Sequence, residues 1–454
     1  MKTAVTPLSL GSDRISSLLL RYAIPSIVAM SSSSLYNIID SVFIGHGVGA
    51  LAISGLAITL PLMNIASAFG SMVGIGAAAL ISIRLGEGNR AAAEKTLGNV
   101  VLLNLLVGLL FMGVSLFFLD PILYFFGAGE QTIGYARDFM QIILGGTVVT
   151  HMYLGLNEVL RASGYPRKAM SVMLTAVAVN CLLNPLFIFG FGWGIRGSAC
   201  ATVIAQLTAL TISLRHFMNP ASFLHFRRGI FRLRRRIVGG ILSIGLAPFL
   251  LHVCASVVVV FVNKALKEYG GDLYIGAYGI VNRVALLFIM VVSGLNQGMQ
   301  PIVGYNYGAR QYARMLRALF LTICCAVCVT TAGFLVGRLF PSQVAGLFVG
   351  RADADAPQLV AAACEGLRIV LMFFPIVGFQ IVTSNFFQYI GKPRQAIFLT
   401  LTRQMLFLVP LLILLPPRFG VPGVWYSMPI ADTSASILAA ILLFPQVRKL
   451  WSEK

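Results

Sequence analysis

The chain has 454 residues, 58% of them hydrophobic and only 11% charged, against about 25% charged in a typical soluble domain. A mean hydropathy of +0.87 excludes an ordinary cytosolic globule and places the chain in a membrane. The formal net charge of +19 does not indicate nucleic-acid binding, because Lys and Arg are spread over short loops instead of being gathered on one soluble face.

Apolar stretches of membrane-crossing length recur throughout, each able to cross about 30 Å of hydrocarbon as a helix. Met1 to Arg14 is too polar to open a signal peptide, so the first apolar run is expected to be retained. In chain order the predicted spans are residues 15–45, 52–82, 96–119, 134–157, 165–190, 195–217, 236–262, 274–303, 315–340, 359–385, 394–416 and 421–446. The expected fold class is an all-α polytopic membrane protein with twelve transmembrane helices.

The first span carries the costliest residue. Asp40 follows Tyr36 and Asn37 at spacings of four and three, which put all three on one helix face. An Asp at a helix centre costs about 2.5–3.5 kcal/mol on insertion scales, so Asp40 should face water or polar partners. Pro25 in the same helix frees a backbone carbonyl and permits a bend. In the second span Gly70, Gly74 and Gly76 allow close helix contact. Glu158, at the end of the fourth span, can brace Arg161 or Arg167.

The fifth span brings Asn180 and Asn184, one turn apart, beside the helix-disrupting Pro185. Two amides and freed carbonyls can coordinate Na⁺ or hydrogen-bond Asp40; interhelical packing is the alternative use. Thr202 in the sixth span offers a further oxygen. Between the sixth and seventh spans lies a basic amphipathic linker, residues 218–235, in which Phe223 to Arg234 mixes apolar and basic residues as a helix lying on anionic lipid would.

The later spans hold weaker candidates. Asn296, Gln297 and Gln300 sit beside Pro301 in the eighth span and can either line a passage or pack helices. Asp432 lies well inside the twelfth span and Glu365 near the start of the tenth. Arg283 is the main cationic residue within a span. Met63, Phe69, Met152, Phe288 and Met290 are candidates for an apolar cavity wall able to take varied rings. The seven cysteines all fall in or beside apolar spans; Cys324-Cys325-x-x-Cys328 has no His or carboxylate in its span, and the cysteines read as small buried hydrophobes.

The second half of the chain repeats the first. Gly164-Tyr165-Pro166-Arg167 returns as Gly391-Lys392-Pro393-Arg394, Ile24-Pro25 as Ala247-Pro248, Leu85-Gly86 as Tyr307-Gly308, and Gly194-Ile195-Arg196-Gly197 as Gly420-Val421-Pro422-Gly423, at offsets of 222 to 227 residues. A duplicated unit is the expected origin. It gives an N-terminal bundle (1–217), the linker (218–235) and a C-terminal bundle (236–454). With six spans each, the two bundles should be parallel and pseudo-symmetric about an axis along the membrane normal. Asp40 is not repeated, since offset 223 gives Asn263. Basic residues crowd the loops on the side shared by both termini, which places the termini in the cytoplasm.

No catalytic constellation competes. The five His are scattered, and neither a HExxH, a GxSxG nor a Walker loop occurs. The chain is therefore expected not to be an enzyme, to carry no cofactor or structural metal, and to depend on an ion gradient for any uphill transport.

The Pro25/Pro248 helices, the Asp40 cluster and the run from Asn296 to Ala309, Asn-Gln-Gly-Met-Gln-Pro-x-x-Gly-Tyr-Asn-Tyr-Gly-Ala, resemble the MATE family of multidrug and toxin extrusion transporters, and its bacterial MepA-like branch most closely. The resemblance covers essentially the whole chain. It implies two six-helix bundles around a central cavity, alternating access, and export of varied, often cationic amphiphiles in exchange for H⁺ or Na⁺. It also implies a bacterial plasma (inner) membrane location and a role in drug efflux and antibiotic resistance. Carried over by position, it assigns cation coupling to Asp40, Tyr36, Asn37, Asn180, Asn184 and Thr202. Many relatives carry an acid where this chain has Asn184, which favours H⁺ over a copied Na⁺ site at Asp40, Asn180 and Asn184. Two readings compete with it: a flippase for lipid-linked oligosaccharide, and a non-transporting scaffold or receptor. Two internal halves already supply the faces of a transport path, so a functional monomer is expected, with lipids and small amphiphiles as its partners.

Overall fold

The computed structural model describes residues 9–348 and 356–452, and these are helical almost throughout. Ten helices are long and apolar enough to cross a membrane, and two bent helix pairs raise the number of candidate spans to as many as twelve. The protein is thus an all-α polytopic membrane protein. Within the described residues the spans follow the predicted ones closely, from Ile15–Gly47 to Val421–Ser452.

Two spans read as continuous are broken. The fourth consists of Ile133–Gly145 and Thr147–Ala162, bent by 54°, and the tenth joins the helix ending at Val370 to Phe374–Tyr389, bent by 57°. The breaks have local causes. Gly145-Gly146 removes two side chains that would stiffen the first, and Pro375 opens the second half of the other, where a missing N–H costs least. The hydropathy pattern runs across both breaks, which is why it does not reveal them.

The sequence repeat reappears in the backbone. Gly164 and Gly391 have φ of 95° and 70°, and Gly194 and Gly420 of 56° and 62°. In the first pair the left-handed glycine ends one helix and the proline two residues on, Pro166 or Pro393, starts the next. Gly88 (φ 72°) is matched at offset 222 by Arg310 (φ 57°), the single described non-glycine in this region. Each half also contains a π-helical stretch near an intramembrane proline: Leu186–Gly190 directly after Pro185, and Thr402–Leu408 just before Pro410.

Contacts group the chain into two compact units. One comprises Ile24–Phe249 with Gln300–Arg310 and the segment up to Asp13; the other comprises Arg14–Ala23, Leu250–Met299 and the chain from Gln311 onward. The first unit has two apolar cores, one around Ala77, Leu97, Leu156 and Phe217 and another around Ile44, Leu123 and Phe139. The second is built around Val262, Val281, Leu367 and Trp425. Within the first unit the second span meets the ends of the seventh and eighth backbone to backbone. A Cβ on Gly76 would strike the Ile241 carbonyl, and one on Gly245 the Met72 carbonyl. Likewise a Cβ on Gly86 would strike the Tyr305 carbonyl, and one on Gly308 the Ile83 carbonyl. Gly86 and Gly308 are equivalent residues of the two repeats, and each packs on the backbone of the other's helix.

The basic linker is not a helix. Residues 219–234 run through turns and bends, because Pro220 and the left-handed Gly229 (φ 88°) interrupt any helical register. The segment is strapped onto the first unit: Leu224 and Ile230 are buried, the Arg234 N–H donates to Asn99 Oδ1 at 2.9 Å, and Arg227 pairs with Glu94 at 3.4 Å. Phe231 to Arg236 remain exposed. The cysteines are free, and Cys254 alone is buried; Cys324 and Cys328 are exposed on their span, where a small apolar side chain is equally at home facing lipid.

Candidate functional site: a buried aspartate network

Asp40 lies seven residues before the end of the first span and is only 8% exposed. Close backbone packing brings its partners in. Gly47 leaves no room for a Cβ against Ile188 and Phe189 of the π-helical stretch, and Gly197 packs on the backbone of Phe187, with a Cβ there only 3.0 Å from the Phe187 carbonyl carbon. These approaches draw the first and sixth spans against the fifth.

The resulting network is contiguous. Asn184 Nδ2 and Ser198 Oγ both donate to Asp40 Oδ1, the latter at 2.6 Å. Asn184 Nδ2 also lies 3.5 Å from Asn180 Oδ1, and Asn180 Nδ2 donates to Thr202 Oγ1 at 3.1 Å. All five side chains are buried or nearly so, with Asn184 and Ser198 at 0% exposure. Charge-assisted hydrogen bonds of this kind are about twice as strong as neutral ones. They offset the desolvation of a lone carboxylate in a span. Asn184 Oδ1 is left without a partner. No group of three or more His, Cys, Asp or Glu side chains that would suit a metal ion occurs among the described residues.

Of the residues expected here, the structure unites Asp40, Asn180, Asn184 and Thr202. Tyr36 and Asn37 belong to the same helix, but their side chains lie outside the described residues. Ser198 was missed, although it stands one turn before Thr202 and so shares its face. That spacing was the available signal. Ser198→Ala deletes the only hydroxyl donor to Asp40 among the described residues. Hydrogen bonds to charged groups contribute about 1.5–3 kcal/mol, so a loss of stability of that order is expected, read as a lowered melting temperature of the purified protein.

Other candidates lie elsewhere. Asn296 and Gln300 are each 2% exposed, with Asn296 Nδ2 bonded to Val292 O (2.9 Å) and Gln300 Nε2 to Ile75 O (3.3 Å). Each of these buried amide donors has a carbonyl acceptor, as a buried donor must. Gln297 is half-buried and Arg283 exposed. Met152 is 9% exposed and belongs to the core around Ala77, Leu97, Leu156 and Phe217. Phe288 makes an edge contact with Phe374 at 6.3 Å beside the core of the second unit. Phe69 packs between Phe111 and Phe249, with tilted rings at 5.4 and 4.8 Å. Met63 accepts from Thr59 at 3.7 Å, and Met290 is half-buried. Pro25 and Pro248 lie inside continuous helices. Glu158 pairs with Arg161 at 3.1 Å, Asp432 with Arg403 at 2.7 Å, and Glu365 is half-buried.

The sequence profile of the MatE family matches residues 25–186 and 246–414, two segments whose starts are 221 residues apart and whose ends are 228 apart. The chain belongs to the MATE family. These offsets bracket those of the sequence repeat, so the duplication is a property of the family's two matched segments. A MATE protein is a transporter and not an enzyme. Among curated MATE relatives, the multidrug export protein MepA of Staphylococcus haemolyticus is 26% identical over 444 residues, 96% of this chain and 95% of that one. The fold agrees with a crystal structure of MATE in the bent conformation, at 23% identity, 99% coverage of both chains and a TM-score of 0.92. An outward-facing multidrug resistance MATE transporter of the MOP superfamily gives 24% identity and a TM-score of 0.91, with 99% of this chain and 100% of that chain covered.

Proposed function

We propose that the protein is an H⁺-coupled antiporter that exports amphiphilic, often cationic compounds by alternating access across a bacterial plasma membrane. In this reading twelve spans form two parallel six-helix bundles, both termini are cytoplasmic, the bent fourth and tenth pairs count as single spans, and the monomer is the working unit. The observation that carries it is the Asp40 network. Among the described residues Asp40 is the sole carboxylate in it, and the two side-chain donors, Asn184 and Ser198, both reach Oδ1, which makes Oδ2 the proposed atom to take a proton. Protonation cancels the charge and with it the need for charge-assisted partners. The first span, with Pro25 beneath it, is then free to rearrange and release cargo outward; loss of the proton inward restores the network. The proton biases the two forms only through its different affinity for each.

Asn184 supports H⁺ over Na⁺. It supplies a neutral amide that donates to Asp40, where an acid would add a second negative charge, so a bound Na⁺ would meet only one negative charge. An imposed pH gradient, acid on the outer face, is expected to drive export of ethidium from cells and its uptake into the acidic lumen of inside-out proteoliposomes. A Na⁺ gradient at fixed pH should drive none. Export that follows the Na⁺ gradient alone would reverse the assignment. A panel of ethidium and fluoroquinolones that shows no differential accumulation in cells, alongside robust flipping of lipid-linked sugars, would replace the export reading altogether.

A further inference from the structure

The second unit holds a charged pair that the Asp40 mechanism does not use. Arg403 Nε donates to Asp432 Oδ1 at 2.7 Å, with the two side chains 21% and 14% exposed. Arg403 stands ten residues from Pro393 and Asp432 eleven from Val421. At 1.5 Å per residue each is about 15 Å along its span, near the middle of a hydrocarbon layer about 30 Å thick. Charges at that depth face a water-filled path or polar partners, because hydrocarbon would not solvate them. Arg403 lies at the start of the π-helical stretch Thr402–Leu408, in which the Val409 N–H reaches Gln404 O. Such wide turns recur at functional sites.

We infer that Arg403 and Asp432 form a binding site for the zwitterionic head of an amphiphilic substrate, one bearing a carboxylate and an amine. Guanidinium has five N–H donors, and the ion pair engages one. The remaining edge, partly exposed, suits a carboxylate in bidentate geometry, while Asp432 accepts from an ammonium group. Neutrality decides between ligands. A cation at Asp432 or an anion at Arg403 leaves one buried charge poorly compensated, at a cost of several kcal/mol. A zwitterion adds one charge of each sign beside the retained pair, with no net charge. Partly buried Phe407 and Met428 stand about one turn from Arg403 and Asp432 and offer apolar surface for an attached ring. The inference rests on the export reading, since it names the class of cargo.

Three fluorescent probes with one ring system test it on the full-length protein in lipid nanodiscs, without any gradient: Nε-dansyl-lysine (zwitterion), its methyl ester (cation) and its Nα-acetyl derivative (anion). The native protein should bind the zwitterion about tenfold or more tightly than either relative. Arg403→Gln should weaken zwitterion and anion and spare the cation, whereas Asp432→Asn should weaken zwitterion and cation and spare the anion, by about tenfold or more. Equal binding of all three probes by the native protein would overturn the inference. So would variants that weaken all three alike with a lowered melting temperature, the mark of a structural pair. If neither variant folds, the native preference decides. Proton-driven ethidium export, measured separately, distinguishes the readings: with ethidium export present and no zwitterion preference, the binding site falls and the antiporter stands.

Discussion

Asp40→Asn is expected to abolish proton-driven export while leaving the protein folded. The Asn side chain keeps an oxygen to accept from Asn184 and Ser198, so the helix contacts around it persist and the melting temperature should move by only a few degrees. What disappears is the group whose charge changes. Coupling free energies between sites are typically about 1–3 kcal/mol, or 5- to 150-fold, and the loss of the sole carboxylate in this network removes the coupling entirely. Initial rates of ethidium export under an imposed pH gradient should fall to the level of empty liposomes, with substrate binding in nanodiscs retained. Full pH-driven export by this variant would move the proton site elsewhere. Asn180→Ala and Thr202→Ala, one bond further out, should give smaller losses.

Gly86→Val or Gly245→Val is expected to be the second large perturbation, acting on the conformational equilibrium. At both positions the neighbouring atom is a backbone carbonyl, of Tyr305 and Met72 respectively, which cannot step aside by changing rotamer. Forcing methyl groups into such a contact costs about 1–3 kcal/mol. Under the alternating-access reading these contacts exist in the form described here and break in the other, so the substitution penalises one form alone. A bias of that size changes a two-state ratio roughly 5- to 150-fold. Electron–electron distance measurements between spin labels at Glu87 and Arg310, in a cysteine-free background, should show the longer-distance population gaining, and export should slow about tenfold. Gly239→Val is the control, because nothing lies within 4 Å of its Cβ position. Unchanged distances and unchanged export in Gly86→Val would show that the contact does not govern the equilibrium.

Much of the fold was legible because the signals are local. A run of some 20 apolar residues identifies a span wherever it occurs, and left-handed glycines followed by proline mark loops in both repeats, as at Gly164 and Gly391. The breaks at Gly146 and Phe373 were hidden because hydropathy averages over a window and does not register a change of direction. The linker misled for a related reason. Its alternation of Phe and Arg is compatible with an amphipathic helix, and only the structure shows Leu224 and Ile230 inserted into the first unit instead.

In the site, Asp40 announced itself through its cost, and Asn180, Asn184 and Thr202 through their polarity. Ser198 did not, because serine is unremarkable in a span and its role depends on where the sixth helix is rotated. The amides of the eighth span were conspicuous as polar residues, and the structure adds their acceptors: Asn296 bonds the Val292 carbonyl one turn back and Gln300 the Ile75 carbonyl of the second span.

The sequence by itself determined the membrane class, the duplication and the presence of one unrepeated acid, since burial energy, periodicity and the price of an intramembrane charge are properties of single segments. Tertiary structure alone decided which donors converge on Asp40, that Gly86 packs on the Tyr305 backbone and Gly308 on that of Ile83, and that Arg403 answers Asp432. Those facts depend on the rotation and approach of separate helices, set by many weak contacts acting together, and no one segment encodes them.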